Sequence, residues 1–200
     1  MADRADTGAE PSLARAGYGF VALLRGVNLG GHNKISMEVL RDICVSLKLR
    51  NPRTYIQSGN VVFSSPETDP AKIAARIESA IEKRCGFRPS VMLRTAAEMR
   101  DVVARNPLAG RPDVHPGKFA VFFLAGAPAV EIAGKVKAIN VGEEEIHPSG
   151  REIYVYFPEG QGKSKLLPAL NRTLKVPATA RNWNTVLKLL AMAEDAGFGG

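Results

Sequence analysis

A chain of 200 residues with 45% hydrophobic content is large enough to bury a proper core, as one larger domain or two small ones. The longest mostly apolar stretch, 119–130, is broken by Gly126 and Pro128 and falls far short of the ~20 residues that cross a bilayer, which excludes a membrane span. The two cysteines, Cys44 and Cys85, form no C-x-x-C pair, which argues against a disulfide scaffold or a zinc site and, read as reduced thiols, for a cytoplasmic location. The net charge of +7 admits a nucleic acid, a phosphorylated small molecule or an acidic partner, and does not choose among them.

Residues 1–16 are small, polar and charged and read as a disordered tail, as do 197–200. Residues 18–27 are a buried strand, followed by a Gly-rich loop. Ser36 caps a helix carrying Leu40, Ile43 and Leu47 on one face. Tyr55-Ile56 and Val61-Val62-Phe63 flank Gln57-Ser58-Gly59-Asn60 and read as a hairpin. Asp69-Pro70 opens a second helix, with isoleucines at 73, 77 and 81, that ends near Gly86. A strand over 89–93 and a helix capped by Thr95 complete the half.

The second half repeats this order. A strand over 118–124 is followed by a helix over 129–139, a hairpin turning at Ser149-Gly150, a helix over 164–174, an extended segment over 176–180 and a closing helix over 184–196. Strand, helix, strand, strand, helix, strand is the split βαβ pattern. The predicted fold is therefore α+β: two ferredoxin-like βαββαβ subdomains (a duplication), 17–105 and 118–196, joined by a Pro/Gly-rich linker over 106–117, with an extra C-terminal helix. No repeat is evident residue by residue.

Two polar loops carry the candidate site. In the first, Arg25, Asn28, Asn33 and Lys34 supply charge and directional donors, and Gly30 and Gly31 expose backbone amides able to cradle an anion. The alternative is a plain strand-to-helix connection needing positive φ at Gly30 or Gly31. In the second, Arg181 offers a planar fork for phosphate or carboxylate, Trp183 a stacking surface, and Asn182 or Asn184 a helix cap. A third stretch, Gly160-Gln161-Gly162-Lys163-Ser164, lacks the first glycine of a Walker A loop, since Phe157 stands there. Gly162, Lys163 and Ser164 at a helix start still suit a phosphate or carboxylate, and Ser164 equally suits a cap. Ser58 is no nucleophile elbow, lying between two strands without the first glycine. His32, His115 and His147 have no metal-ligand spacing.

Taken together, 25–34, 55–63 (Tyr55-Ile56-Gln57-Ser58-Gly59-Asn60-Val61-Val62-Phe63), 162–166 (Gly162-Lys163-Ser164-Lys165-Leu166) and 178–185 (Ala178-Thr179-Ala180-Arg181-Asn182-Trp183-Asn184-Thr185) resemble, in that order, a bacterial family called domain of unknown function 1697, DUF1697. The resemblance covers 18–192. It implies a duplicated ferredoxin-like fold and no particular activity, cofactor or catalytic residue. The expected function is binding of a small anionic or nucleotide-like ligand in a basic pocket between the halves, with no cofactor and no metal. The alternatives are a nucleic-acid-binding module, for which Tyr154 and Tyr156 share one strand face, and a scaffold dimerising through sheet edges.

Overall fold

The computed structural model describes residues 18–139 and 142–195, so both expected tails lie outside the described residues. Two four-stranded sheets, antiparallel throughout, and six α-helices make an α+β molecule. The first sheet is built from β1 (Tyr18–Leu24), β2 (Arg50–Thr54), β3 (Asn60–Ser65) and β4 (Val91–Thr95), in the order β2-β3-β1-β4. The second uses β5 (Phe119–Leu124), β6 (Glu145–Ser149), β7 (Glu152–Tyr156) and β8 (Ala178–Asn182), in the order β6-β7-β5-β8.

The helices divide into three layers. α1 (Met37–Ser46) and α2 (Pro70–Cys85) cover the outer face of the first sheet, where Ile73, Ile77 and Ile81 meet Phe20, Ala22, Leu24 and Phe63. α4 (Val130–Lys137) and α5 (Leu166–Thr173) cover the outer face of the second, against Ala120, Phe122 and Leu124. α3 (Ala96–Ala104) and α6 (Trp183–Asp195) fill the space between the inner faces. There Val21, Leu23 and Met92 of one sheet and Phe119, Val121, Phe123 and Tyr154 of the other share one core with Met99, Val102, Val186 and Leu189. Because side chains alternate along a strand, β1 and β5 each feed two cores, which is why both read as unbroken apolar runs.

The caps do what their residue types dictate. Ser36 Oγ accepts from Val39 N–H, Asp69 accepts from Ala71 and Lys72, and Thr95 and Glu98 form a reciprocal capping box. The structure corrects several bounds. Tyr55 and Ile56 lie in the turn and the preceding strand is β2, whose Pro52 sits on a sheet edge where no ladder donor is needed. Arg181 and Asn182 belong to β8, paired with Val121 and Ala120, and not to a loop. Residues 161–163 form a 3-10 turn, and α5 starts at Leu166.

A repeat does exist at residue level, and strand register makes it visible. Val21 pairs Arg94 as Val121 pairs Arg181. Leu24 N–H donates to Gly59 O as Leu124 N–H donates to Arg151 O, both at 2.9 Å, and Arg25 N–H donates to Ser90 O as Ala125 N–H donates to Pro177 O. Val-x-x-Leu-x-Gly at 21–26 and 121–126 is its trace in the sequence.

Candidate functional site

The loop between β1 and α1 is a small exposed finger built by its asparagines. Gly30 and Gly31, at φ 55° and 82°, form a tight turn closed by His32 N–H on Leu29 O at 3.0 Å. Asn28 also holds positive φ, 55°, and its side chain repays the strain: Oδ1 accepts from Ile35 N–H, while Nδ2 donates to Ile35 O and Gln57 O. Asn33 Nδ2 donates to Gly26 O. Both asparagines are thus spent on the loop itself. Arg25, Leu29, His32 and Lys34 are left exposed. The finger leans on the β2–β3 turn, where exposed Ile56 holds φ 47°, a conformation rare for a β-branched residue.

Under both loops lies Arg181, 7% exposed. Its Nε donates to Asn60 Oδ1, its Nη1 to Thr179 Oγ1 and Ala180 O, and its Nη2 to Leu24 O and Ser58 O, at 2.8 to 2.9 Å for the Nη contacts. Nη2 also reaches Gly59 O at 3.4 Å, so every N–H group is met by a neutral oxygen, and burial alone lowers the guanidinium to about 10. The group still carries its charge at neutral pH.

The other sheet holds the matching arginine. Arg94 Nη2 donates to Leu124 O and Arg151 O, and its Nε donates to Glu152 Oε1 at 2.8 Å. Glu152 opens β7 as Asn60 opens β3, and its other oxygen accepts from Arg105 at 3.0 Å. Each half therefore reaches into the β-turn of the other with an arginine from its last strand. One clasp is closed by a carboxylate and the other by an amide.

The remaining sequence candidates fall elsewhere. Trp183 is buried and packs against Phe119 with the rings tilted and their centroids 4.9 Å apart, in the central core. Asn182 Oδ1 accepts from Thr185 N–H and caps α6, and Asn184 is exposed on the first turn of that helix. Gly162 is exposed, and the Lys163 side chain lies outside the described residues. Ser164 Oγ donates to Glu144 at 2.8 Å and accepts from Leu166 N–H at 3.0 Å. The cavity beside it, about 300 Å³, is lined by Glu143, Glu144 and Glu159 as well as Lys165. Tyr154 and Tyr156 face inward, and their hydroxyls donate to Val102 O and Asp113 O. Cys44 is fully buried, its thiol pushed up to about 12 by desolvation.

Arg25 belongs to a different cavity, about 250 Å³, where the end of β1 meets the connection into β8. Lys175, Asn171 and Ala178 line it with Arg25, and the lining contains no acidic residue. By contrast, a charged cleft of about 500 Å³ beside the Arg94 clasp mixes Arg105 and Arg151 with Glu98, Asp101 and Glu152. Arg181 stands one residue behind the wall of the Arg25 cavity, bonded to Leu24 on one side and Thr179 on the other. Lys175 carries no sequence signal: it is a lone lysine in a short connection. Asn60 was legible only as a turn residue.

No curated protein matches this chain. Among solved structures, the conserved bacterial protein SP0830 from Streptococcus pneumoniae superposes with a TM-score of 0.72 at 23% identity, covering 90% of this chain and 99% of that one. At that identity the likeness speaks for the fold alone. No helix among the described residues is long and apolar enough to cross a membrane. The family described as protein of unknown function (DUF1697) matches residues 18–154, from the first strand through the Glu152 clasp, and the chain belongs to that family.

Proposed function

We propose that this protein binds a small anion in the cleft between Arg25 and Lys175, on a scaffold of two ferredoxin-like βαββαβ units. The scaffold reading is supported by the shared strand order of the two sheets and by the two helices of each half that cross from a central to an edge strand, α1 and α2 in the first and α4 and α5 in the second. On this reading 106–117 joins two units that have merged their inner faces.

The observation that carries the anion reading is electrostatic. Arg25 and Lys175 face a cavity without an acid in its lining, and Arg181 is buried behind its wall with no carboxylate partner among the described residues. A buried charge left without a counter-ion is costly, and an anion in the cleft recovers part of that cost. The volume is below that of drug-sized sites, which favours a small ion or a single charged group over a whole nucleotide. The Gly162–Ser164 segment takes no part, because Glu144 sits on Ser164. Base stacking has no platform on β7, whose tyrosines are inside the core.

Isothermal titration of the full chain with inorganic phosphate tests the reading. Saturable binding in the wild type, lost in the Arg25→Ala/Lys175→Ala variant, is the expected result. No heat at millimolar phosphate overturns it, and binding only to polynucleotides, falling steeply with salt, would move the function to nucleic acid.

A further inference from the structure

Resting on that anion-binding reading, we infer that the cleft is set for a tetrahedral dianion, a phosphoryl or sulfuryl group, and that Asn60 is the residue that sets this charge.

The inference comes from comparing the two clasps. Their geometry is shared: an arginine opposite Val21 or Val121, a carbonyl at the end of the central strand, the carbonyls of a hairpin turn, and the first residue of the following strand. They differ in what closes Nε. At Arg94 it is Glu152, and the cleft beside that clasp sets Glu98, Asp101 and Glu152 against Arg94, Arg105 and Arg151, so that end is balanced within itself. At Arg181 it is Asn60, which has the shape of an acid and none of its charge. The charge of Arg181 is therefore felt at the neighbouring surface: its guanidinium bonds Leu24 O and Thr179 Oγ1, each one residue from the Arg25 and Ala178 that line the cleft with Lys175. Among the described residues neither of those two has an ion-pair partner. Two cations line a cleft with no acid, and a third lies behind its wall. A carboxylate ligand would leave most of that charge standing, whereas a dianion would cancel two thirds of it. Asn60 acts through Arg181 and does not touch the ligand.

Because Coulomb energy scales with ligand charge, removing one cation from the site should weaken a dianion twice as much, on a logarithmic scale, as a monoanion. Titration of the full chain with methyl phosphate, sulfate and acetate at fixed ionic strength, from pH 5 to 8, reads this directly. Both dianions are expected to bind at least about tenfold tighter than acetate. Methyl phosphate should weaken as pH falls through its second pKa, about 6, while sulfate stays level. In Asn60→Asp the dianions should lose about tenfold and acetate about threefold. Since Asn60 Nδ2 also donates to Tyr55 O and Ser58 Oγ, that variant disturbs the turn as well. Thr179→Asp, which places a carboxylate against Nη1 from the other side, is the second arm and decides where Asn60→Asp does not fold. Acetate binding as tightly as sulfate, or a folded Thr179→Asp that keeps wild-type affinity for both dianions, overturns the inference and leaves anion binding standing. A wild type that binds none of the three ions overturns the anion-binding reading itself.

Discussion

Arg94 has 1% of its side chain exposed and, among the described residues, pairs with the single carboxylate of Glu152. Its guanidinium also lies over the Phe123 ring, 5.5 Å from the centroid. Burial pulls its pKa down and Glu152 works against that pull. Removing one member of such a pair leaves the other charge buried and alone. Glu152→Ala is expected to cost about 3–5 kcal/mol in denaturant unfolding. A loss below about 1 kcal/mol would mean that Arg94 finds water or another acid. Arg181 lives with a comparable imbalance by filling every N–H with a carbonyl, a hydroxyl or an amide oxygen, so its cost is charge and not unmade hydrogen bonds. Chemistry that looked in the sequence like a ligand fork is an internal tie.

At the scale of elements, the β1–α1 finger and the β2–β3 turn behave as one unit, welded at Gly59. A Cβ at Gly59 would lie 2.5 Å from Val27 Cγ2 and 2.8 Å from Leu24 Cβ, and φ is +74°. Gly30 also holds positive φ, +55°, but nothing lies within 4 Å of a Cβ there. Gly59→Ala is therefore expected to cost about 2–4 kcal/mol, overpacking and left-handed strain together, and Gly30→Ala only the strain, about 1 kcal/mol. Comparing the two melting transitions checks this. Equal losses would show that the turn can move away from Val27. The same weld explains why 25–34 and 55–63 stand out together in the sequence. Asn28 holds Gln57 O, Arg181 holds Ser58 O, and Leu24 N–H holds Gly59 O. The other half solves the problem with Gly150, Arg151 and Glu152, which share no obvious motif with the first. That is why the repeat is hidden until the strands are put in register.

At the scale of the whole molecule, the two halves have separate outer cores and a common inner one. α3 packs on α6, and the inner faces of both sheets close on that pair. Leu108, within the segment expected to be a linker, is buried in the same core. Either half alone would expose Val21, Leu23 and Met92, or Phe119, Val121 and Phe123. The chain should accordingly unfold in one transition, with far-UV circular dichroism and the emission of Trp183, its single tryptophan, changing together. Two separated transitions would show that the arginine clasps and the inner core do not couple the halves.

The order of elements, their helix caps and the family were all legible in the sequence. Each rests on short-range physics: apolar periodicity, a capping oxygen three residues from its amide, or a motif read along the chain. Strand ends were read less well, because Tyr55, Ile56 and Arg181 have strand and turn propensities that only pairing with Asn60 or Val121 resolves. The candidate site was half visible. Arg25 and Arg181 are conspicuous in the sequence, yet one faces a cleft and the other is enclosed. What separates them is the packing of β8 against the end of β1, a contact between residues 155 and 157 positions apart. Tertiary structure alone decided that Lys175 joins Arg25, that the Ser164 loop belongs with glutamates, and that an asparagine in one clasp faces the role a glutamate fills in the other. Charge balance is a property of what is near in space, and sequence records only what is near along the chain.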